Sequence, residues 1–454
     1  MRTLARLERE GLRLVGAVTL LIVLAGCTGI RTDQERAAQK SLLEIEVQYR
    51  PGSARPELPA LSSNTSLAEF IRYALLSHPK VEATYYDWAA SVRRITVERS
   101  LPDPRLTFEA DIADTVMSLM PGLMMDFPGP GKLRAAAAVA SAESDKQYFA
   151  FKTSVLETAF NLKRAYYELY FLEERIAVSR NMLTLLSEVE RVAKAQSEVG
   201  KATLQDVLRA QIEQERIQTE IANLEDSRQP LKAQFKAALG LSHTNADPPI
   251  PQRFESTDIG VSPEQLLSEA LENNPRLRAM EADIRQADAA IRVARRGRIP
   301  DFSVGLEVDV KPSPWVWRPQ AGMTLPIWRD KIAAQIAAAQ AGKRAAEARL
   351  SAEQITLAVD LAQQSFMFRE SDRNLRLLQE RLLPRAQNSL EIAQAGYGSA
   401  RVSFIDLIDA QRTLLEFRLA EVDAKAQREL ALAELSLLIM GQVPSGAPVL
   451  AKEP

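Results

Sequence analysis

Histidine and cysteine are almost missing from this chain, which has two of the former and one of the latter in 454 residues. A zinc site draws on about three or four such ligands, so no His/Cys metal centre is expected and no cofactor is implied. One cysteine cannot form a disulfide within the chain. Charge of one sign is also lacking: 57 basic residues against 59 acidic ones leave no electrostatic footprint for nucleic acid. No nucleophile with a neighbouring base and no convergent carboxylate pair stands out, which argues against an enzyme. Proline and glycine are missing from Lys132–Glu198, and so long a stretch without a breaker points to one uninterrupted helix.

The N-terminus reads as a targeting segment. Arg2, Arg6, Arg9 and Arg13 form a positive region around the start of the apolar residues 12–24, a run too short for a confident bilayer span. It ends in Leu24-Ala25-Gly26-Cys27, the pattern of a bacterial lipoprotein signal, in which the cysteine becomes N-terminal and acylated. Residues 1–26 are therefore expected to be a lipoprotein signal peptide and Cys27 the lipidation site. Residues 27–64, polar and broken by Pro51, Pro56 and Pro59, are expected to be a lipidated tether with an extended lead-in. Thr28 after the cysteine, rather than aspartate, favours the outer membrane, with the anchor in its periplasmic leaflet. The competing reading of Cys27 is a buried thiol on a short apolar helix.

What the chain does have is repetition. Residues 195–214, AQSEVGKATLQDVLRAQIEQ, return within 388–415, NSLEIAQAGYGSARVSFIDLIDAQRTLL, so that Thr203-Leu204-Gln205-Asp206 lies over Ser403-Phe404-Ile405-Asp406. Each copy reads as the end of a helix, a tight turn and a helix running back. The openings repeat too: Ala74-Leu75 and Pro79 correspond to Ala270-Leu271 and Pro275, and Pro102-Asp103 to Pro300-Asp301. The chain is thus a tandem duplication, with repeats over 65–241 and 262–441, a linker over 242–261 that carries His243, and a flexible tail over 442–454. Ser66 and Glu69 are spaced as a capping box, and His78-Pro79 marks a join between helices where His78 is structural.

After each opening helix comes a stretch of period two. Phe302, Val304, Leu306, Val308 and Val310 alternate with Ser303, Gly305, Glu307 and Asp309; Leu106, Phe108, Ala110 and Ile112 alternate with Thr107, Glu109 and Asp111. Strands with one apolar and one acidic face suit a membrane barrel, whose outside meets lipid while its lumen is wet. Glu109, Asp111, Glu307 and Asp309 are then lumen-facing, and Trp315, Trp317 and Trp328 are interface aromatics near strand ends. Return strands are expected over 116–128 and 320–326. Four strands per chain would leave open edges in hydrocarbon, at several kcal/mol for each unpaired group, so closure must come from further copies.

The helix from Lys132 could reach roughly 100 Å. Its counterpart from Lys331 meets Pro384, where a bend or interruption is expected. Helices this long cannot bury themselves and must pack side by side as a coiled-coil wall. Return helices are expected from Asp206 to about Leu239 and from Asp406 to about Met440.

Three marks now converge: ALxxxPxxxA at 74–83 and 270–279, Phe-Pro-Gly-Pro-Gly-Lys at 127–132, and YGSARVSFIDLIDAQRTL at 397–414. Over essentially the whole mature length the chain resembles the TolC-like family of outer membrane efflux proteins. That resemblance implies a mainly α fold with a membrane β-barrel: a homotrimer whose twelve-stranded barrel continues as a long α-helical barrel across the periplasm. It implies a passive exit duct that works with a periplasmic adaptor and an inner-membrane transporter, without enzymatic activity. It further implies a periplasmic constriction at the second hairpin turn, with Asp406 and Asp409 as acidic positions and Tyr397 as an aromatic that holds the tip helices. Rings of carboxylates in a narrow pore would attract cations; the plainer role for both residues is that of helix-start acids.

The chain departs from the family pattern at Ala400, where glycine is usual, and at Val402, which leaves Arg401 as the basic candidate. Arg209 stands where Asp409 stands in the second repeat. Met117, Met120, Met124 and Met125 suit barrel packing or lipid contact, with soft-metal ligation as the alternative. Two other readings stay open: a channel devoted to heavy-metal cations, and a non-transporting coiled-coil lipoprotein.

Overall fold

The computed structural model describes residues 31–112, 116–256, 266–311, 314–399, 401–445 and 447. The expected signal peptide, Cys27, Ala400 and parts of the linker and tail lie outside them. In chain order the helices and strands are α1 (Asp33–Tyr49), α2 (Leu67–Ser77), α3 (Pro79–Arg99), β1 (Arg105–Ile112), β2 (Val116–Phe127), α4 (Lys132–Glu198), α5 (Leu204–Ala238), α6 (Leu266–Asn273), α7 (Pro275–Arg296), β3 (Phe302–Asp309), β4 (Val316–Met323), α8 (Arg329–Leu377), α9 (Leu383–Gly398) and α10 (Phe404–Ala433). They form two compact units: Met1–Glu44 with Tyr85–Ala150 and Arg276–Ala352, and Ile45–Thr84 with Phe151–Pro275 and Glu353–Pro454.

The first unit holds the sheet, four antiparallel strands in the order β1-β2-β3-β4. Cross-strand partners share a face, and the register keeps the two chemistries apart. Thr107 faces Gly122, which faces Glu307, which faces Arg318; on the other face run Leu106, Leu123, Leu306 and Pro319. Leu106, Phe108, Val304 and Leu306 are exposed, whereas Glu307 and Asp309 are 6% and 4% exposed. Gly122 permits this crowding, because a Cβ there would lie 2.4 Å from Glu307 Cγ and 2.6 Å from Thr107 Oγ1. The second return strand begins at Val316, ahead of the expected 320–326, because Val316 and Trp317 pair with Asp309 and Val308. The outer edges of β1 and β4 carry no strand among the described residues.

The extended lead-in expected within 27–64 is corrected, since Asp33–Tyr49 is helical. Thr32 Oγ1 accepts from the Glu35 N–H at 3.1 Å, and Leu42, Ile45 and Tyr49 recur on one buried stripe. Beyond α1, Arg50 is 1% exposed; it stacks on the Tyr49 ring at 3.9 Å and donates to the Leu76 carbonyl at 3.1 Å. Glu82 neutralises it at 3.5 Å and also takes Arg55 at 2.7 Å. Burial alone would raise the Glu82 pKa, but hydrogen bonds and charge from Arg55 and Arg50 outweigh it and hold the carboxyl below its ordinary value. A carboxyl with a depressed folded pKa stabilises at neutral pH and loses that contribution as pH falls through the folded pKa. Glu82→Gln is therefore expected to cost about 1–2 kcal/mol at pH 7, with the gap to wild type closing in urea melts as pH falls through the depressed carboxyl pKa. A gap that persists at acid pH would show that the loss is one of packing rather than charge.

The two repeats hinge alike. His78 ends α2 with ψ 122°, and its Nδ1 accepts from the Lys80 N–H at 3.1 Å, the structural role expected of it. Ser77 Oγ donates to the Leu239 carbonyl at 2.7 Å, while in the second repeat Asn274 Nδ2 donates to the Leu438 and Ile439 carbonyls, each at 3.0 Å. The expected interruption at Pro384 takes the form of a π-helical turn over Leu378–Leu382, and Pro384 falls in the first turn of α9, where its missing N–H costs nothing. A second π-turn, Glu434–Ile439, ends the last helix, and Pro230 lies inside α5; neither was signalled by the pattern.

Candidate functional site

The two hairpin turns, α4–α5 and α9–α10, close with matched bonds. Lys201 and Ala202 N–H donate to the Gln196 carbonyl at 2.9 and 3.3 Å; Arg401 and Val402 N–H donate to the Gly396 carbonyl at 2.8 and 3.3 Å. Capping boxes follow in both, Thr203 with Asp206 and Ser403 with Asp406. The turns differ in where their bulk lies. A Cβ on Gly396 would come 2.3 Å from Val402 Cγ2, whereas Gly398 has open space around it. Gly396 is thus the glycine this turn requires, and Gln196 with Ala202 inverts the pair in the first repeat. That inversion is the sequence signal for a position overshadowed by Ala400 and Gly398.

Asp406 is held locally: its carboxylate accepts from the Ser403 O–H at 2.6 Å and N–H at 3.3 Å, while its own N–H donates to Ser403 Oγ at 3.2 Å. Asp409, one turn on, is exposed and makes no hydrogen bond or salt bridge among the described residues. Arg401 is likewise exposed, and the structure does not bring it to either aspartate. Tyr397 is 5% exposed and stands edge-on to Phe404, ring centroids 5.5 Å apart. Its hydroxyl has no partner among the described residues, and burial together with the Asp206 charge raises its pKa. Gln196 Nε2 donates to the Tyr397 carbonyl at 3.2 Å, which ties one hairpin to the other.

A second tie was not evident from spacing. Glu213, 6% exposed on α5, pairs with Arg412 of α10, and Arg216 lies 3.9 Å from it. The Glu213 hydrogen bond raises the Arg412 pKa, aided by the Glu213 and Asp409 charges. Beside them Gln411 is 2% exposed with neither amide atom bonded among the described residues. The repeats place Arg412 over Ile212 and Glu213 over Thr413, and that mismatch is the available signal.

On the sheet, Glu109, Asp111, Glu307 and Asp309 share one face, as their alternation required. Arg105 meets Asp126 at 2.7 Å, Arg318 meets Asp309 at 3.5 Å, and Ser118 Oγ donates to Asp111 at 3.0 Å. Met120 lies buried opposite Glu109 and Met124 opposite Arg105, both on the polar face, while Met125, opposite Val304, is on the apolar one; the Met117 side chain is outside the description. Among the described residues no group of three His, Cys, Asp or Glu side chains is placed to hold a metal ion. Trp315 and Trp317, at the β3–β4 turn, are 61% and 58% exposed, and Trp328, between β4 and α8, is 70% exposed. Exposed indoles thus bracket the apolar face at both strand ends.

The family profile described as outer membrane efflux protein matches residues 70–241 and again 266–441. Over 260 residues the chain is 25% identical to the cobalt-zinc-cadmium resistance protein CzcC of Cupriavidus metallidurans, a match spanning 56% of this chain and 61% of that relative. Among solved structures, the outer membrane protein VceC of Vibrio cholerae is similar at TM-score 0.68 and 17% identity, over 83% of this chain and 96% of that one. CusC is similar at TM-score 0.72 and 15% identity, over 87% and 99%. The open-state MtrE outer membrane channel of Neisseria gonorrhoeae is similar at TM-score 0.70 and 17% identity, over 88% and 99%. At such identities these structures speak for the fold.

Proposed function

Because the chain belongs to the outer membrane efflux protein family, we propose that it is the exit duct of a tripartite efflux assembly, a passive channel that three copies build in the outer membrane. The observation that carries this reading is the sheet: four strands with an apolar exposed face, an acidic opposite face and two open edges. Such a sheet reaches closure when copies join edge to edge into a barrel with lipid outside and water inside. Exposed Leu204, Leu208 and Ile212 on α5 and Ile355, Val359 and Phe366 on α8 supply apolar stripes for the same assembly. Acylated Cys27 anchors the chain, the helical hairpins reach into the periplasm, and their turns receive a periplasmic adaptor that couples the duct to an inner-membrane transporter. At the entrance Asp406 and Asp409 supply exposed carboxylates, Asp406 also capping its helix, Tyr397 holds the turn, and Lys201 and Arg401 are its exposed cations. The duct performs no catalysis.

A second reading concerns cargo. The acidic face of the sheet, together with the likeness to a relative named for cobalt, zinc and cadmium resistance, favours divalent metal cations. One experiment tests both readings. The purified lipoprotein should run as a trimer, open pores in planar bilayers, and show a reversal potential in a ZnCl2 gradient that indicates Zn2+ current. A monomer without conductance would refute the duct, and a pore that passes chloride in preference would refute the cation cargo.

A further inference from the structure

The junction between helices and sheet in the first unit holds guanidinium groups that nothing neutralises. Arg134 on α4, Arg292 and Arg295 on α7, and Arg298 just beyond it line a cavity of about 810 Å³, together with Gln34 and Ile299. Among the described residues none of these four arginines makes a hydrogen bond or salt bridge to a carboxylate. Three carboxylates of this unit are engaged by other partners: Asp301 by Lys132 and the Gly129 N–H, both at 2.7 Å, Asp283 by Lys146 at 2.9 Å, and Asp288 by Lys343 at 2.9 Å. Arg296 lines the same cavity and donates only to the Pro130 carbonyl at 3.3 Å, so five exposed cations around one opening repel one another unless an anion enters. Planar guanidinium forks fit phosphate oxygens in particular.

The position of the cavity points to which phosphate. The apolar face of the sheet ends at this junction, where Phe302, Met323, Leu325, Ile327 and Trp328 are exposed. A belt of that kind settles at the boundary between acyl chains and headgroups. Gln34, on the cavity wall, follows Cys27 by 34 − 27 = 7 residues, so the acyl anchor lies within about 25 Å of the site. An acyl chain can insert only from outside the barrel wall, which places this cavity on the lipid side at headgroup depth. We propose that these arginines bind the headgroup phosphate of an anionic phospholipid in the periplasmic leaflet, with Ile299 against its apolar part. The proposal rests on the reading of the chain as a lipid-anchored outer-membrane channel.

Native mass spectrometry of the detergent-solubilised full-length trimer tests it, with phosphatidylglycerol and phosphatidylcholine supplied in equal amounts. Wild type should retain phosphatidylglycerol over phosphatidylcholine by about tenfold. That preference should vanish in R134Q/R292Q/R295Q/R298Q and survive in R369Q/R373Q/R381Q/R385Q, which removes the same charge from the other unit. A wild-type preference for phosphatidylglycerol kept by the site variant would overturn the proposal. So would loss in both variants, which reports bulk charge, or complete displacement by millimolar inorganic phosphate, which reports a free-anion site. If the fourfold variant does not assemble, R292Q/R295Q and R134Q/R298Q are measured in its place. Bilayer conductance is read in parallel: a wild type that forms no pore sinks the channel reading, while the lipid count still decides the site.

Discussion

Gly441→Val is expected to abolish assembly of the folded protein, or to lower its melting temperature by far more than an ordinary surface change. Gly441 has φ 64°, and a Cβ there would meet the Asn273 carbonyl oxygen at 2.7 Å and Pro275 Cδ at 3.0 Å. Left-handed backbone costs a non-glycine residue about 1–2 kcal/mol, and overlap with main-chain atoms that cannot move aside adds to it, for a total of about 3–5 kcal/mol. Gly240 plays the same part in the first repeat, with φ 74° and a Cβ that would lie 2.6 Å from His78 Cα. Each glycine ends a repeat and lets the chain press against the helix join that opens it. Gly342 is the contrasting case, helical with open space around it; Gly342→Ala should stabilise by about 1 kcal/mol. A Gly441→Val protein with wild-type melting would show that this contact does not pin the join.

The second large effect separates two aspartates that look alike in sequence. Asp409→Asn should leave melting unchanged and lower the K+/Cl− permeability ratio of the bilayer pore several-fold, because three exposed carboxylates leave the entrance. Asp406→Asn should lower the ratio as well, since a carboxylate bonded to neutral Ser403 keeps its charge, but its carboxylate also serves the Ser403 capping box, so it should in addition cost about 1 kcal/mol of tip stability. An unchanged permeability ratio in Asp409→Asn, or wild-type melting in Asp406→Asn, would overturn these roles.

What could be read without coordinates depends on short-range geometry. A strand turns successive side chains to opposite faces whatever it pairs with, so the alternation of Phe302 to Asp309 sufficed for the two-faced sheet. Helix α4 runs from Lys132 to Glu198 as the absence of breakers required. The boxes at Ser66, Thr203 and Ser403 need only a spacing of three residues. Helix α1 was harder to see, because the prolines at 51, 56 and 59 suggest an extended chain and its buried stripe is short.

By itself, then, the sequence determined the duplication, the helical period of the long hairpin helices and the face each strand residue takes, since these follow from neighbours along the chain. The tertiary structure alone decided which charges are paired. Arg412 reaches Glu213 from the other hairpin, Asp406 is committed while Asp409 is free of hydrogen bonds and salt bridges among the described residues, and four arginines at the sheet junction are left without a carboxylate. Pairing is set by helix register and by the approach of segments remote in sequence, and charge acts through space rather than along the chain.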